Sequence, residues 1–253
     1  MQDVIHLLQS HRSIRRFKNI PIDQSMVEEL IRSGQAAATS SFIQACTVIQ
    51  VSAGEKRDQL AQLAGNQSYV AKAPIFLVFC ADMHRHHLAC EMHKVPMQSG
   101  YTEQFLTASV DCALFAQNVV TGAEALGLGA CYIGGLRNEI AAVSSQLALP
   151  GLVFPLFGLC LGYPDQDPEV KPRLPLSLTL KQNSYSQDKT LNEADKDDIA
   201  ALEIYDQHIR EYYKSRTGNQ KETGWTEQIS GMLQKEARPH MMEFLQEKGF
   251  MRR

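Results

Sequence analysis

The sequence predicts an α+β fold, in which helices cover both faces of a central mixed sheet of four or five strands. Two continuous apolar runs, residues 74–81 (PIFLVFCA) and 153–162 (VFPLFGLCLG), are typical of buried strands. The longest helical stretch, residues 101–127, lies between them and is apolar on nearly all sides. We therefore expect this helix in the core of the domain or of a dimer.

Helices and strands alternate in the first part of the chain. A short amphipathic helix occupies the first ten residues, and a second begins after Pro21 with Asp23 as its acidic cap. Residues 47–53 (TVIQVSA) predict a strand, and residues 55–65 predict a short helix that ends at a glycine. Further along, residues 130–135 (ACYIGG) predict another strand, which a helix over NEIAAVSSQLAL connects to the last apolar run.

The character of the chain changes after about residue 165. Residues 165–175 (DQDPEVKPRLP) contain too many prolines for a regular helix or a central strand. The helical segments 195–216 and 225–249 are rich in charge and too poor in apolar residues to form a separate core. We expect one domain over 1–253, with a core of about 1–165 and a helical excursion over about 166–253 that packs on the core and on a dimer partner.

Composition excludes several classes of function. Hydrophobic residues make up 44% and charged residues 21%, as in globular proteins, and a net charge of −3 offers no basic field for nucleic acid. No apolar run is long enough to span a bilayer, and the N-terminus lacks a secretory layout, so we expect a cytoplasmic protein without a membrane partner. The six cysteines are irregularly spaced, which argues against a disulfide framework, and Cys80 and Cys160 lie in apolar runs typical of buried thiols.

Common catalytic and nucleotide-binding motifs are absent from the sequence. Gly127-Leu-Gly129 follows a helix and precedes a strand, the reverse of the dinucleotide-binding order, and is typical of a glycine C-cap. The sequence contains no GxxxxGK[ST], HExxH or GxSxG motif, so no motif supports kinase-like, zinc-protease or α/β-hydrolase chemistry.

A histidine-rich segment is the one candidate metal site. His86, Cys90 and His93 fall at i, i+4 and i+7 of a possible helix, and zinc accepts such ligands. His84 and His87 belong to the same segment, but no Asp, Glu or Cys partner lies nearby at a spacing known for metal sites. We favour a solvated helix or loop and expect no metal.

Three separated segments carry groups suited to anion binding: His11-Arg12-Ser13-Ile14-Arg15, Ser40-Ser41-Phe42 with Gln44 and Gln67 beyond, and Lys171-Pro172-Arg173. Each has an ordinary structural alternative when it is taken singly. A helix end favours cations, a serine run is a common turn, and a KPR tripeptide is often a solvated loop.

Together, however, the segments match a known family. The elements HRSIR, SSF-Q, AGNQ-Y, AQN, GLG-CYIGGLRN, PLFGLCLG-P and KPRLP occur in that family's order. The sequence strongly resembles the oxygen-insensitive NADPH nitroreductases and the similar NADPH–FMN oxidoreductases (flavin reductases) of bacteria, in the nitroreductase superfamily. The resemblance extends from Val4 to Arg252.

The resemblance implies that FMN is held by residues from all three segments. Arg12 and Arg15, with Ser13 and the distant Arg173, would bind the phosphate, because a guanidinium bonds phosphate oxygens in pairs. Lys171 would stabilise the negative charge of the reduced ring near N1. The complete implied set of cofactor-binding residues is His11, Arg12, Ser13, Arg15, Ser40, Ser41, Gln67, Ile133, Gly134, Gly135, Lys171 and Arg173.

Further roles follow from the same resemblance. Ser40, Ser41 and Gln67 would bond ribityl and ring-edge groups, whereas the backbone of Gly134 and Gly135 would approach the flavin N5 edge.

Selectivity for NADPH is implied for Arg216 and Lys221, with a solvated connector as the open alternative. The implied pocket residues are Phe42, Glu103 and Arg238, and Arg238 has helix capping as its alternative.

The implied activity is that of a homodimeric FMN-dependent enzyme with NADPH as donor. Tightly bound flavin would carry the chemistry, so no side chain is expected to act as acid or base, and two-electron, ping-pong reduction of nitroaromatics, quinones or free flavin is expected. One alternative is a dedicated flavin reductase that supplies reduced FMN. An alternative of another class is a non-catalytic flavin- or metal-binding regulatory protein.

Overall fold

The computed structural model describes residues 4–216 and 218–253, which form two compact units. The first unit comprises Met1–Asp167 and Arg238–Arg253, and the second comprises Pro168–Ala237. The C-terminal residues thus belong to the first unit, whereas the sequence placed all of about 166–253 in the excursion.

A four-stranded sheet forms the centre of the first unit. Its strands are β1 (Cys46–Gln50), β2 (Ile75–Asp82), β3 (Gly129–Ile133) and β4 (Val153–Gly162), in the order β1-β2-β4-β3. All three strand pairs are antiparallel, and the parallel component of the predicted mixed sheet is a single bridge between Ser13 and Ala130. The α+β class is confirmed.

One irregularity interrupts the pairing of the two central strands. Phe79 pairs with Phe157 and Cys80 with Pro155, so Leu156 is the extra residue of a bulge. A proline has no backbone N–H for a ladder bond and is tolerated inside a sheet at such bulges. The carbonyl of Leu156 accepts a hydrogen bond from Nη1 of Arg137, which compensates the local loss of pairing.

Helices cover both faces of the sheet, as predicted. The helices of the first unit are α1 (Val4–Gln9), α2 (Gln24–Gln35), α3 (Glu55–Leu63), α4 (Ser68–Lys72), α5 (His84–Met92), α6 (Thr102–Ala125), α7 (Ile140–Gln146) and, near the C-terminus, α11 (Met241–Glu247). Short 3₁₀ helices span Ser40–Phe42 and Gly134–Arg137.

Two apolar layers hold these helices on the sheet. Leu60 of α3, Val70 of α4 and Val143 of α7 pack with β2 and β4 on one face. Helices α2 and α6 pack together on the other, where a Cβ on Gly34 would lie 2.2 Å from the Phe115 ring. Glycine at position 34 therefore permits the close approach of the two helices.

The long helix α6 has an exposed apolar stripe as well as a buried face. Leu106, Val110 and Leu114 follow one another at intervals of four residues and are 53%, 49% and 45% exposed. The apolar surface predicted around this helix is therefore only partly buried inside the first unit. No described helix is long and apolar enough to cross a membrane.

The second unit contains α8 (Leu176–Thr179), α9 (Leu191–Ser215) and α10 (Trp225–Leu233). Its small core consists of Tyr205, Ile209 and Tyr213 of α9, with Trp225 packed against them. Asp206 accepts hydrogen bonds from the backbone and side chain of Thr226 and so fixes the start of α10.

Candidate functional site

The HRSIR segment lies close to the loop that precedes α4. The Arg15 guanidinium is near the Tyr69 hydroxyl, which donates to Oε1 of Gln67 at 2.7 Å. Gln67 in turn donates from Nε2 to the Ala64 carbonyl at 2.8 Å. Burial raises the pKa of Tyr69, and the positive charge of Arg15 offsets part of that shift. The structure therefore brings Arg15 and Gln67 to the two sides of Tyr69, which is hydrogen-bonded to Gln67 and lies within the field of Arg15.

The end of β3 lies directly against this network. Strand β3 ends at Ile133, and the 3₁₀ turn begins with Gly134 and Gly135. A Cβ on Gly135 would lie 2.3 Å from the Ala64 carbonyl oxygen and 2.8 Å from Nε2 of Gln67. Only glycine leaves room for this approach, so five of the predicted cofactor residues (Arg15, Gln67, Ile133, Gly134 and Gly135) share one region.

Arg238 reaches the same turn, and its implied pocket role stays a prediction. Its Nη2 donates to the Gly134 carbonyl at 3.3 Å and to Oδ1 of Asn138 at 2.9 Å, and its Nε donates to that Oδ1 at 3.1 Å. Arg137 is close enough that burial and then the charge of Arg238 lower its pKa. Two guanidinium groups thus place positive charge beside the Gly134–Gly135 turn, which favours an anionic ligand.

The first residues of the HRSIR segment bind acidic partners. Nδ1 of His11 lies 2.6 Å from Oε1 of Glu124, and Nη2 of Arg12 lies 2.5 Å from Oδ1 of Asp167. Nη1 of Arg12 also donates to the Ser10 carbonyl at 3.3 Å. Arg12, Glu124 and Asp167 line a cavity of about 570 Å³, whose two carboxylates oppose the binding of a phosphate there.

The predicted serine segment lies at the other edge of the sheet. Ser41 and Phe42 have positive φ angles of 49° and 57°, and both serines and Phe42 are exposed. This turn precedes β1, whereas Gly134 follows β3, and these strands are separated by three strand spacings, roughly 14 Å. The structure does not bring Ser40 and Ser41 to the Gly134–Gly135 turn of the same chain.

Predicted cations of the second unit gather around one aromatic ring. Nζ of Lys171 donates to the Tyr213 hydroxyl at 3.1 Å, and Nζ of Lys221 lies 5.5 Å from the centre of the Tyr213 ring. The guanidinium carbon of Arg216 lies 5.7 Å from the same centre. Arg173 is exposed in the preceding loop. Lys171, which was predicted to bind flavin, thus lies near Arg216 and Lys221, which were predicted to bind NADPH.

Glu103 lies in the first turn of α6 and is exposed. It accepts a hydrogen bond from Thr107, one turn further along the same helix, at 3.3 Å. This is a local helix contact, so it leaves the implied pocket role of Glu103 a prediction.

The histidine-rich segment forms α5. His86 bonds the Ile43 carbonyl at 2.7 Å, and Nε2 of His87 lies 3.4 Å from Glu91. Within the described ranges, no three His, Cys, Asp or Glu side chains converge to hold a metal ion. The segment therefore offers no geometric support for the metal-responsive alternative.

Comparison with known proteins decides the family. The model of the nitroreductase family matches residues 8–163, and that of the family's C-terminal domain matches residues 171–253. The chain belongs to the nitroreductase family. This confirms the resemblance inferred from the sequence motifs.

Relatives of the family match over the whole chain. An NADPH-flavin oxidoreductase of Vibrio harveyi is 44% identical, with 100% of each chain covered, and an oxygen-insensitive NADPH nitroreductase of Salmonella typhimurium is 41% identical at the same coverage. The solved structure of the Vibrio harveyi NADPH:FMN oxidoreductase complexed with NAD⁺ has a TM-score of 0.87, at 40% identity and 99% coverage of each chain.

The residues at the Gly134–Gly135 turn fit a flavin mononucleotide. Arg15, which is close to the Tyr69 hydroxyl beside this turn, is exposed, and its guanidinium has the charge and fork geometry that a phosphate requires. In the same sequence segment, Nε of Arg12 is a buried donor without a hydrogen-bond partner among the described residues, although its Nη2 already pairs with Asp167. At Gly135 the Ala64 carbonyl and the Gln67 amide occupy the place of a side chain, so the backbone of the turn lies directly against Gln67.

Three residues were not singled out from the sequence. In the first unit, Tyr69 donates a hydrogen bond to Gln67 and Asn138 accepts hydrogen bonds from Arg238. In the second unit, Tyr213 contacts the predicted cations of that unit. Tyr69 and Asn138 stand inside the recognised elements AGNQ-Y and GGLRN, so the motifs themselves were a signal for both. Tyr213 had no comparable signal beyond the YY pair.

Proposed function

We propose that this protein is an FMN-containing oxidoreductase that oxidises NADPH and reduces nitroaromatics, quinones or free flavin. The observation that carries the proposal is the linked set Arg15, Tyr69, Gln67 and Gly135 in a chain of the nitroreductase family. The full-length relatives are named as NADPH-dependent flavin or nitro oxidoreductases, so the predicted enzyme class and its cofactors are confirmed. The acceptor and the ping-pong order stay predictions.

The chain's own residues bind and orient. When bound, FMN would supply the redox chemistry, that is, hydride acceptance from NADPH and two-electron reduction of an acceptor. Arg15 would hold the phosphate, and the backbone at Gly134 and Gly135 would lie at the ring edge. Ser13 and Arg12, whose Nη2 pairs with Asp167, stay predicted phosphate ligands. Catalysis then rests on positioning and on the positive field of nearby guanidinium groups, without a side-chain acid or base.

The placement of the serine turn supports the proposal of a homodimer. Ser40 and Ser41 are exposed and lie at the sheet edge opposite Gly134, so a second copy of the chain is the natural source of these residues for each flavin. The exposed stripe of Leu106, Val110 and Leu114 on α6 supports the proposal, because a partner would cover it. Lys171 and Arg173 stay predicted cofactor residues, and the one-domain organisation stays a prediction.

Replacement of Arg15 by alanine is expected to weaken FMN binding. It removes a charge-assisted phosphate contact of about 2 kcal/mol, which corresponds to roughly thirtyfold in the dissociation constant. Flavin fluorescence during titration of the apoprotein measures the change. Arg16→Ala is the matched control, because Arg16 is an exposed neighbour that donates to the Asp165 carbonyl. Equal losses in both variants would contradict a specific role of Arg15.

Arg216→Ala is expected to raise the KM for NADPH by roughly tenfold and to leave the KM for NADH unchanged. The variant loses about 1.4 kcal/mol of attraction to the additional phosphate of NADPH. Steady-state rates with both donors measure the difference, and Lys214→Ala provides an exposed cation of the same helix as a control. An equal rise of the KM for NADPH and for NADH would mean that Arg216 does not bind the 2′-phosphate of NADPH.

The decisive experiment is an anaerobic NADPH titration of the purified protein, followed by visible absorbance. The expected result is a flavin spectrum that bleaches with one NADPH per subunit and recovers when a quinone or nitroarene is added. Stopped-flow half-reactions then test the ping-pong order. A colourless protein that neither binds added FMN nor oxidises NADPH would overturn the proposal.

The dedicated flavin reductase is the second candidate, and the name of the Vibrio harveyi relative favours it. Rates with free FMN, a quinone and a nitroarene at equal concentration distinguish the two. A marked preference for free FMN would support this candidate.

A further inference from the structure

Two cysteines meet between β1 and α6 in a geometry that no redox step of the proposed reaction uses. Sγ of Cys46, the first residue of β1, lies 3.5 Å from Sγ of Cys112 in α6. The two free thiols are thus within hydrogen-bond distance of each other. Formation of a disulfide requires the sulfur atoms to approach by about a further 1.5 Å, to a bond length of about 2.05 Å.

The two thiols differ in access to solvent. Cys46 is half-buried and lines two adjoining cavities of about 530 and 380 Å³, whereas Cys112 is completely buried. The hydrogen bond with Cys46 and then burial raise the pKa of Cys112, so Cys46 is the thiol that reacts first. A small oxidant therefore meets Cys46 before it meets Cys112.

We propose that Cys46 and Cys112 form a peroxide-sensitive modification site, which closes to a reversible intramolecular disulfide. This inference rests on the packing of the first unit and does not depend on the proposed flavin chemistry. Cys46 is the thiol that the peroxide oxidises, and Cys112 is the thiol that resolves the product.

The reaction balances with hydrogen peroxide as the oxidant. The deprotonated Cys46 sulfur attacks one peroxide oxygen, the O–O bond breaks, and the departing hydroxide takes up a proton to leave as water. Cys112 then passes its proton to the sulfenic oxygen as its sulfur attacks the sulfenic sulfur, so the S–O bond breaks and the hydroxyl leaves as a second water. Two thiols lose two electrons in total, and one peroxide becomes two waters.

A third thiol competes for the role of Cys112. Cys80 of β2 is completely buried and close enough to Cys46 that their charges interact, although burial is the main reason that its pKa is raised. The structure records a sulfur contact for Cys46 with Cys112, so the proposal commits to that pair.

The test is treatment of the full-length, flavin-loaded protein with a few equivalents of hydrogen peroxide, followed by alkylation and peptide mapping without reductant. The expected product has lost two hydrogen atoms, joins the Cys46 and Cys112 peptides, and returns to two thiols with dithiothreitol. Cys46→Ser should abolish the product, and Cys112→Ser should instead allow dimedone to trap a sulfenic acid on Cys46. Cys90→Ser is the matched control, because Cys90 is also half-buried, and it should form the disulfide as the wild type does.

Three results would overturn the proposal. The first is oxidation of Cys46 to sulfinic or sulfonic acid in the wild type without a cross-link. The second is a linkage of Cys46 to Cys80. The third is survival of the product in the Cys46→Ser protein.

Discussion

Gly135→Ala is expected to abolish stable flavin binding. The new Cβ would lie 2.3 Å from the Ala64 carbonyl oxygen and 2.8 Å from Nε2 of Gln67, so the turn after β3 has to move. Overpacking against backbone costs about 3 kcal/mol, and a turn that moves to relieve it loses the geometry proposed to bind FMN, so the affinity should fall more than a hundredfold. Equilibrium titration of the apoprotein with FMN and circular dichroism of the variant measure binding and folding separately.

The control for this variant is Gly151→Ala. A Cβ on Gly151 meets no atom within 4 Å, and Gly151 is not among the glycines with positive φ. This variant should bind FMN with the wild-type affinity. If Gly135→Ala also binds FMN with the wild-type affinity, the prediction is wrong, because FMN binding then does not depend on the position of this turn.

Arg57→Ala is expected to have the largest effect on stability. Arg57 is only 2% exposed, and it donates from Nε to the Val70 carbonyl at 2.8 Å and from Nη2 to the Ala73 carbonyl. The variant leaves both carbonyls buried without these donors and leaves a cavity next to Phe76, which costs about 4 kcal/mol of unfolding free energy. Urea denaturation of the apoprotein measures the loss.

Lys56→Ala serves as the control, because Lys56 is an exposed neighbour in the same helix. Its unfolding free energy should stay within about 0.5 kcal/mol of the wild type. A loss in Arg57→Ala that is no larger than in Lys56→Ala would mean that water or a shifted side chain satisfies the two carbonyls.

Much of the fold was predictable because its central elements have strong local patterns. The predicted strand 153–162 coincides with β4, the predicted strand 74–81 differs from β2 by one residue, and the helix predicted over 101–127 is α6. Long apolar runs and helical periodicity depend only on neighbouring residues, so a single sequence suffices for them. The short helix α4 carries too few residues for such a pattern and was not predicted.

The candidate site was less predictable, since its geometry depends on strand order and register. The motifs named Arg15, Gln67 and Gly135 as a set, but only the fold shows that Tyr69 connects the first two. Likewise, nothing local reveals that the Ser40–Phe42 turn belongs to the opposite edge of the sheet. Such relations arise from pairing between distant segments, which periodicity does not encode.

The bulge at Leu156 has a consequence for attempts to stabilise this protein by redesign. Its carbonyl is held by Arg137, the last residue of the 3₁₀ turn that begins with Gly134. Redesign that makes the sheet regular by replacing Pro155 or deleting Leu156 would displace or remove the Leu156 carbonyl. The hydrogen bond that this carbonyl accepts from Arg137, and that fixes the glycine turn, would then be lost. A straighter and more stable sheet would then come with a misplaced ligand-binding loop, so thermostability and cofactor retention have to be screened together in this strand.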